Sequence, residues 1–326
     1  MLKALVNDAR LRLDITTKGP LLIKSGFATV IGADMAPVQT YRRDGKEEIY
    51  LPGSSLKGVF RSHIEKVVNS IQPQVACNPL SRRNEQDTRD ERHLYRVSCG
   101  TRFNDKTPQH KVYAESCPAC RLFGSTSFSS RIAIEDAYLT GNAVGKEKLV
   151  EHRDGIAIDR LTGGTSPGAK FDLEAVTAET TFTTTLHLRN FEIWQLGMLF
   201  VFIQDMEDEL IRLGSGRSRG LGKVKASIHE QEEGVHKGGV MLSSARTNKK
   251  REEPNELLGL GSWLDEKEAE LYEISTDDML VLKPPIAHDL QGVRRTRVVK
   301  GGDLNNLKEQ SIEAFVTRMQ TWKSAS

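Results

Sequence analysis

No stretch of this chain approaches the apolar length needed to span a bilayer, and its first residues lack the apolar core of a secretory signal. A cytoplasmic setting is the expectation. The chain also lacks a surplus of either charge: 46 Lys and Arg stand against 44 Asp and Glu, leaving +2 over 326 residues. That balance excludes a molecule coated in positive charge, so any grip on a polyanion must be local. Cysteine is scarce, four in all, and every one lies between Cys77 and Cys120. In a reducing compartment such clustering speaks against a disulfide framework and for metal ligation. No internal repeat is visible.

A chain of this length can bury a full core, as one large domain or two smaller ones. Residues 11–16 alternate, with Leu11, Leu13 and Ile15 against Arg12, Asp14 and Thr16, which predicts a first strand. Residues 21–31 read as another, interrupted at Gly26. After Pro52 and Gly53, with Ser54 or Ser55 as N-cap, Leu56, Val59, Phe60, Ile64, Val67 and Val68 recur at helical spacing. Residues 69–116 are polar and weakly periodic, an insertion held by something other than a core. Strands are predicted at 131–139, 181–188 and 220–228, and a second helix at 191–213. This order is that of an α+β, ferredoxin-like sandwich, with helices on one face of an antiparallel sheet. Past residue 230 the composition shifts: 243–255 reads as a linker, and 255–271 and 304–322 as helices separated by Pro284 and Pro285.

Two turns far apart in the chain set glycine and serine beside fixed positive charge. The first opens the first helix and holds Ser54, Ser55, Lys57 and Arg61; the second holds Ser215, Arg217, Ser218 and Arg219 among four glycines. Helix N-termini and exposed amides attract phosphate, and arginines fork onto it. The second turn is not a Walker loop, because Arg217 stands where glycine is needed and Val224 where a hydroxyl is. Nor is it a dinucleotide fingerprint, which needs glycine at Arg219 and a preceding strand. Singly, each turn could be a solvated helix end. Together they predict two walls of one phosphate-binding cradle.

Cys77, Cys99, Cys117 and Cys120 include one Cys-x-x-Cys pair and predict a closed, structural zinc site, with His93 or His110 as the alternative to Cys77. His63 is expected to border the core or a neighbouring subunit. Residues 153–180, with glycines, Pro167, Arg160 and Lys170, suit a protruding hairpin or a plain surface loop. Asp34 alone reads as a turn-former or cap.

Four of these motifs resemble the RAMP superfamily of CRISPR-associated proteins. They are Pro-Gly-Ser-Ser-Leu-Lys-Gly-Val-Phe-Arg at 52–61, Cys-Arg-Leu-Phe-Gly at 120–124, Ile-Asp-Arg-Leu-Thr-Gly-Gly at 158–164 followed by Glu174, and Gly-Ser-Gly-Arg-Ser-Arg-Gly-Leu-Gly at 214–222. The third is similar to the thumb of the backbone subunit of type III effector complexes. The resemblance covers roughly residues 8–228. It implies a modified RNA-recognition palm at 1–228, carrying a zinc-binding insertion (69–124) and a β-hairpin thumb (150–182), then a linker and C-terminal extension at 229–326.

The resemblance further implies an antiviral ribonucleoprotein, with guide RNA, target RNA, other effector subunits and further copies of the chain as partners. Ser54, Ser55, Lys57, Arg61, Ser215, Arg217, Ser218 and Arg219 would meet guide backbone. On the thumb, Arg160 and Lys170 would meet backbone, while Leu161 and Thr162 would wedge against bases. In active members an aspartate two residues before a Pro-Val pair cuts target RNA with a divalent ion such as Mg2+ or Mn2+. Met35 holds that position here, with Asp34 one residue earlier and Asp44 a weaker substitute. Three rivals stay open: the same scaffold without catalysis, a metal-independent guide-RNA processing endonuclease using a histidine such as His63, and a zinc-dependent hydrolase.

Overall fold

The computed structural model describes residues 4–25, 33–41, 45–80, 97–141, 144, 148–231, 238–247 and 251–322. Strand β1 (Asn7–Thr17) carries the expected alternation and extends it: Ala9, Leu11, Leu13 and Ile15 are core, while Arg10, Arg12, Asp14 and Thr16 occupy the opposite face. Of the strand expected at 21–31, the described residues form only isolated bridges, Leu21 to Val176 and Lys24 to Pro37. A small hairpin, β2 (Gln39–Tyr41) and β3 (Glu47–Ile49), precedes α1 (Gly53–Ile71), which buries Leu56, Phe60, Ile64 and Val68 along one row. Three short helices follow: α2 (Cys99–Arg102), α3 (Gln109–Ala114) and α4 (Pro118–Phe123). This part of the insertion is not coreless. Val112, Leu122 and Phe123 are buried, and Phe123 meets Phe60 edge-on at 4.8 Å.

The chain continues through β4 (Ile132–Ile134), β5 (Tyr138–Leu139), a long hairpin of β6 (Val150–Ile158) and β7 (Thr165–Val176), then β8 (Thr181–Arg189). Helix α5 (Ile193–Glu207) and β9 (Val224–Ile228) complete the unit. Strand β1 lies between β8 and β9, β4 lies outside β8, and all these pairings are antiparallel. With α1 before β4 and α5 before β9, this is ferredoxin-like connectivity. Thr181 and Phe182, shared between the expected thumb and the strand expected at 181–188, belong to β8 in the main sheet.

The sheet runs on past residue 228. Where 243–255 reads as a linker, β10 (Val240–Ala245) pairs with the first half of β1, from Asn7 opposite Ser244 to Leu11 opposite Val240. One edge of β1 is thus shared between β9 and β10, because eleven residues are long enough to hold both partners. The helix expected at 255–271 is instead β11 (Glu256–Leu258), a 3-10 turn, and α6 (Glu266–Tyr272). Gly259 and Gly261 break it, and Asp278 beside them accepts the Gly261 amide at 2.9 Å. Strand β12 (Met279–Val281) pairs with β11. Strands β13 (Asp289–Gln291) and β14 (Arg294–Val299) extend the sheet beyond β10, and α7 (Gly301–Gln320) closes the chain.

Helix α5 is apolar nearly all round because it is packed against both the sheet and α7. The two helices touch backbone to backbone: a Cβ on Gly197 would stand 2.0 Å from the Ser311 carbonyl oxygen. We expect Gly197→Ala to lower stability by about 1–3 kcal/mol in chemical denaturation. An unchanged midpoint would mean the helices separate freely there.

Candidate nucleic-acid interface

A short extended segment after β1 joins the second glycine turn to the base of the β6–β7 hairpin. On one side, the Leu22 carbonyl accepts the Ser215 amide at 2.7 Å and the Pro20 carbonyl accepts the Gly222 amide at 2.7 Å. On the other, Leu21 and Val176 exchange amide-to-carbonyl bonds of 2.9 and 2.8 Å. Gly214 makes this closeness possible: its φ is +71°, and a Cβ there would lie 2.2 Å from the Leu22 oxygen. Leu22, Leu173, Ala175 and Leu221 form a small apolar cluster over these bonds, with Met35 and Phe171 against it. Above it Arg217, Ser218 and Arg219 make an exposed 3-10 turn, and the Arg219 guanidinium stands 5.9 Å over the Phe171 ring.

Among the described residues the β6–β7 hairpin pairs with no other strand. Its tip is held by Asp159, whose carboxylate accepts the Leu161 and Thr162 amides at 2.7 and 3.1 Å. Leu161 is 97% exposed and Arg160 is exposed beside it. Lys170, lower down, pairs with Asp154 at 3.5 Å. Sequence reasoning missed Ile156 and Ile158, also exposed. Isoleucines at alternating positions beside a glycine-rich turn were the signal.

Asp34 sits against this hairpin. Its amide donates to Asp172 Oδ1 at 3.1 Å, and the Asp172 amide returns a bond to Asp34 Oδ2 at 3.2 Å. The Glu174 amide donates to the Met35 carbonyl at 2.8 Å. Donation from the Asp34 amide holds the Asp172 carboxyl below the usual carboxylate range. Asp172 was not foreseen; only the folded register brings it near Asp34. Asp44 lies outside the described residues.

The first turn departs from expectation. Neither Ser54 nor Ser55 caps α1: Pro52 is the N-cap, and the Gly53 amide donates to Asp136 Oδ1 at 2.7 Å. A carboxylate from the β4–β5 connection therefore stands where an incoming phosphate would meet the helix end. Arg61 is engaged too, donating to Glu65 at 2.8 Å, the Gly124 carbonyl at 3.2 Å and Cys120 Sγ at 3.2 Å. Lys57 remains. Among the described residues no carboxylate pairs with it, and burial, then Arg61, lowers its pKa.

Lys57 and Arg61 line a cavity of about 430 Å³ with Ser98, Thr126 and Ser130. Arg217 and Ser218 line another, of about 350 Å³, with Ser62, His63 and Lys66. At about 3.6 residues per turn these sets occupy different flanks of α1. The single cradle expected from the two turns is thus two basic cavities, one to each side of the helix.

The sequence model of the RAMP superfamily matches residues 14–225, from mid-β1 into β9. The chain belongs to the RAMP superfamily. A curated relative, the CRISPR system Cms endoribonuclease Csm3 of Methanocaldococcus jannaschii, is 28% identical over 192 residues, covering 56% of this chain. The chain spans 64% of that relative's length.

In this RAMP chain the four cysteines come together. Cys77, Cys99, Cys117 and Cys120 are buried, with sulfurs all within 4.8 Å of one another and Cys77 at 3.6 Å from both Cys117 and Cys120. A tetrahedral zinc with Zn–S of about 2.3 Å needs sulfur separations of about 3.8 Å, so the set fits. Backbone amides support the sulfurs, Cys117 to Cys99 and Cys120 to Cys117. Contact with Cys117 lowers the Cys77 and Cys99 thiols and raises that of Cys120, so the fit to a metal rests on the sulfur geometry. His110 packs on Tyr272 and His93 lies outside the described residues.

The open face of the RAMP sheet is mostly polar and charged. Strands β9, β1 and β8 present Lys225, Arg10, Arg12, Asp14, Thr183, Thr185 and His187 there, without Phe, Tyr or Trp. Tyr138 of β5 lies opposite Thr183 on that face, stacked on Tyr50, and with His187 is the nearest it comes to a stacking platform. No helix among the described residues is long and apolar enough to cross a membrane.

Arg61→Lys keeps the charge but loses the fork that ties α1 to Cys120 and Gly124. It should lower stability by roughly 1–3 kcal/mol and speed proteolysis within residues 97–124. Native-like resistance would show that Arg61 does not brace the cysteine-bearing insertion.

Proposed function

We propose that this chain is a backbone subunit of a type III CRISPR ribonucleoprotein. It binds guide RNA without reading its sequence and distorts the guide–target duplex with the β6–β7 hairpin. The observation that carries this reading is the common footing of glycine turn and hairpin on residues 20–22. A turn bearing Arg217 and Arg219 beside a protruding hairpin tipped by Leu161 can hold backbone and press on bases at one fixed spacing. Lys57, Arg160 and the Ser215 and Ser218 hydroxyls add polar contacts; Lys170 reaches backbone only by leaving Asp154, and Arg61 acts chiefly as a brace.

The reading extends to target-RNA cleavage at Asp34. Asp34 would orient the target 2′-hydroxyl for in-line attack on the adjacent phosphate, breaking the bond to the next 5′-oxygen and leaving a cyclic phosphate. A bound Mg2+ or Mn2+ would supply charge neutralisation at that phosphate. The competing reading is an inactive structural subunit, favoured by the engagement of Asp34 Oδ2 with the Asp172 amide. In both, zinc on the four cysteines is structural, because four sulfurs leave no ligand position open.

Arg217→Ala with Arg219→Ala should weaken binding of unrelated guide sequences equally and reduce the salt slope by about 0.7 for each phosphate left unneutralised; an unaltered slope removes the turn from the interface. Asp34→Ala should abolish target cutting by the assembled complex while leaving RNA bound, and continued cutting would assign catalysis elsewhere. Metal analysis should find stoichiometric zinc, with Cys99→Ser losing both metal and fold; a metal-free, folded protein would refute the site.

A further inference from the structure

We propose that the cavity between α1 and the glycine turn is a separate phosphate site for the same RNA strand, with Lys66 and Arg212 as its new ligands. This rests on the reading that the turn holds RNA. The cavity, about 350 Å³, is lined by Ser62, His63, Lys66, Leu210, Arg212 and Arg217, among others.

Three cations converge on it, and among the described residues none of them has a carboxylate partner. Acids on α1 and at the end of α5 pair elsewhere, apart from the exposed Asp208. Asp205 pairs with His63 Nε2 at 2.5 Å, Glu65 with Arg61 at 2.8 Å, Glu207 with Lys308 at 3.3 Å and Glu209 with Lys223 at 2.5 Å. Mutually repelling cations held around a concavity without counter-charge favour an anion inside it. Two guanidiniums, one ammonium and the Ser62 hydroxyl present donors and no anionic group, which suits phosphate oxygens.

The rim says which phosphate. Leu210 is 69% exposed at the cavity edge, an apolar shelf that a free phosphate would not use but a ribose or base would cover. Arg217 belongs both to the cavity and to the glycine turn, so a strand held on the turn passes the cavity mouth. The occupant is therefore a phosphodiester within RNA.

The test is a salt titration of the full chain with a mixed-sequence single-stranded RNA. Lys66→Ala with Arg212→Ala should weaken binding about tenfold at low salt and reduce the slope by at least about 0.7, with an unchanged melting temperature because both side chains are exposed. The pair Lys66→Gln and Arg212→Gln should behave alike. Arg219→Ala, outside the cavity, monitors the underlying reading. If Arg219→Ala weakens binding while the cavity pair matches native affinity and slope, the cavity is not a phosphate site and the turn still is. If neither changes binding, both are overturned.

Discussion

The Leu22 carbonyl oxygen holds the Ser215 amide, and its neighbour Leu21 exchanges backbone bonds with Val176. These contacts bring three distant parts of the chain to one place: the end of the first strand, the glycine turn after α5, and the foot of the hairpin. Backbone bonds buried under Leu173, Ala175 and Leu221 are costly to break, since each opened amide or carbonyl would lose its partner away from water. The turn and the hairpin therefore cannot drift apart independently. A proposed grip on one strand and a proposed wedge between bases need that fixed spacing.

Charge follows a comparable local logic. The molecule is nearly neutral, yet Lys57 on one flank of α1 and Lys66, Arg212 and Arg217 on the other are left without carboxylates among the described residues. Glu65 and Glu209 are matched to other bases, and Asp136 is held at the helix N-terminus. Local positive potential thus arises from how acids are paired and not from an excess of bases. Arg61 shows the converse: a basic residue in a promising motif whose donors serve the protein, binding a sulfur, a carbonyl and a carboxylate.

Much of this was legible in the sequence. Period-two patterning marked β1 and β8, helical periodicity marked α1 and α5, and glycine density marked the turn, because each signal is local and each element is long. The four cysteines were legible as a set because all lie in one short segment, although His93 and His110 offered alternatives to Cys77. Long-range placements were not legible. Asp136 capping α1, Asp172 facing Asp34 and β10 sharing an edge with β1 depend on register between segments far apart, which no local window carries. Lys66 and Arg212 belong to distant segments, and only folding placed them around one cavity. The single cradle failed for a related reason: two motifs can each touch the same helix and still face away from one another.

RNA is proposed to lie across the turn and hairpin and not on the open sheet face. Photo-crosslinking with thiouridine-substituted guide RNA, read by peptide mass spectrometry, tests it most directly. Crosslinks should concentrate on residues 214–222 and on the hairpin around Leu161. Crosslinks concentrated instead on Arg10, Arg12, His187 and Lys225 would contradict it.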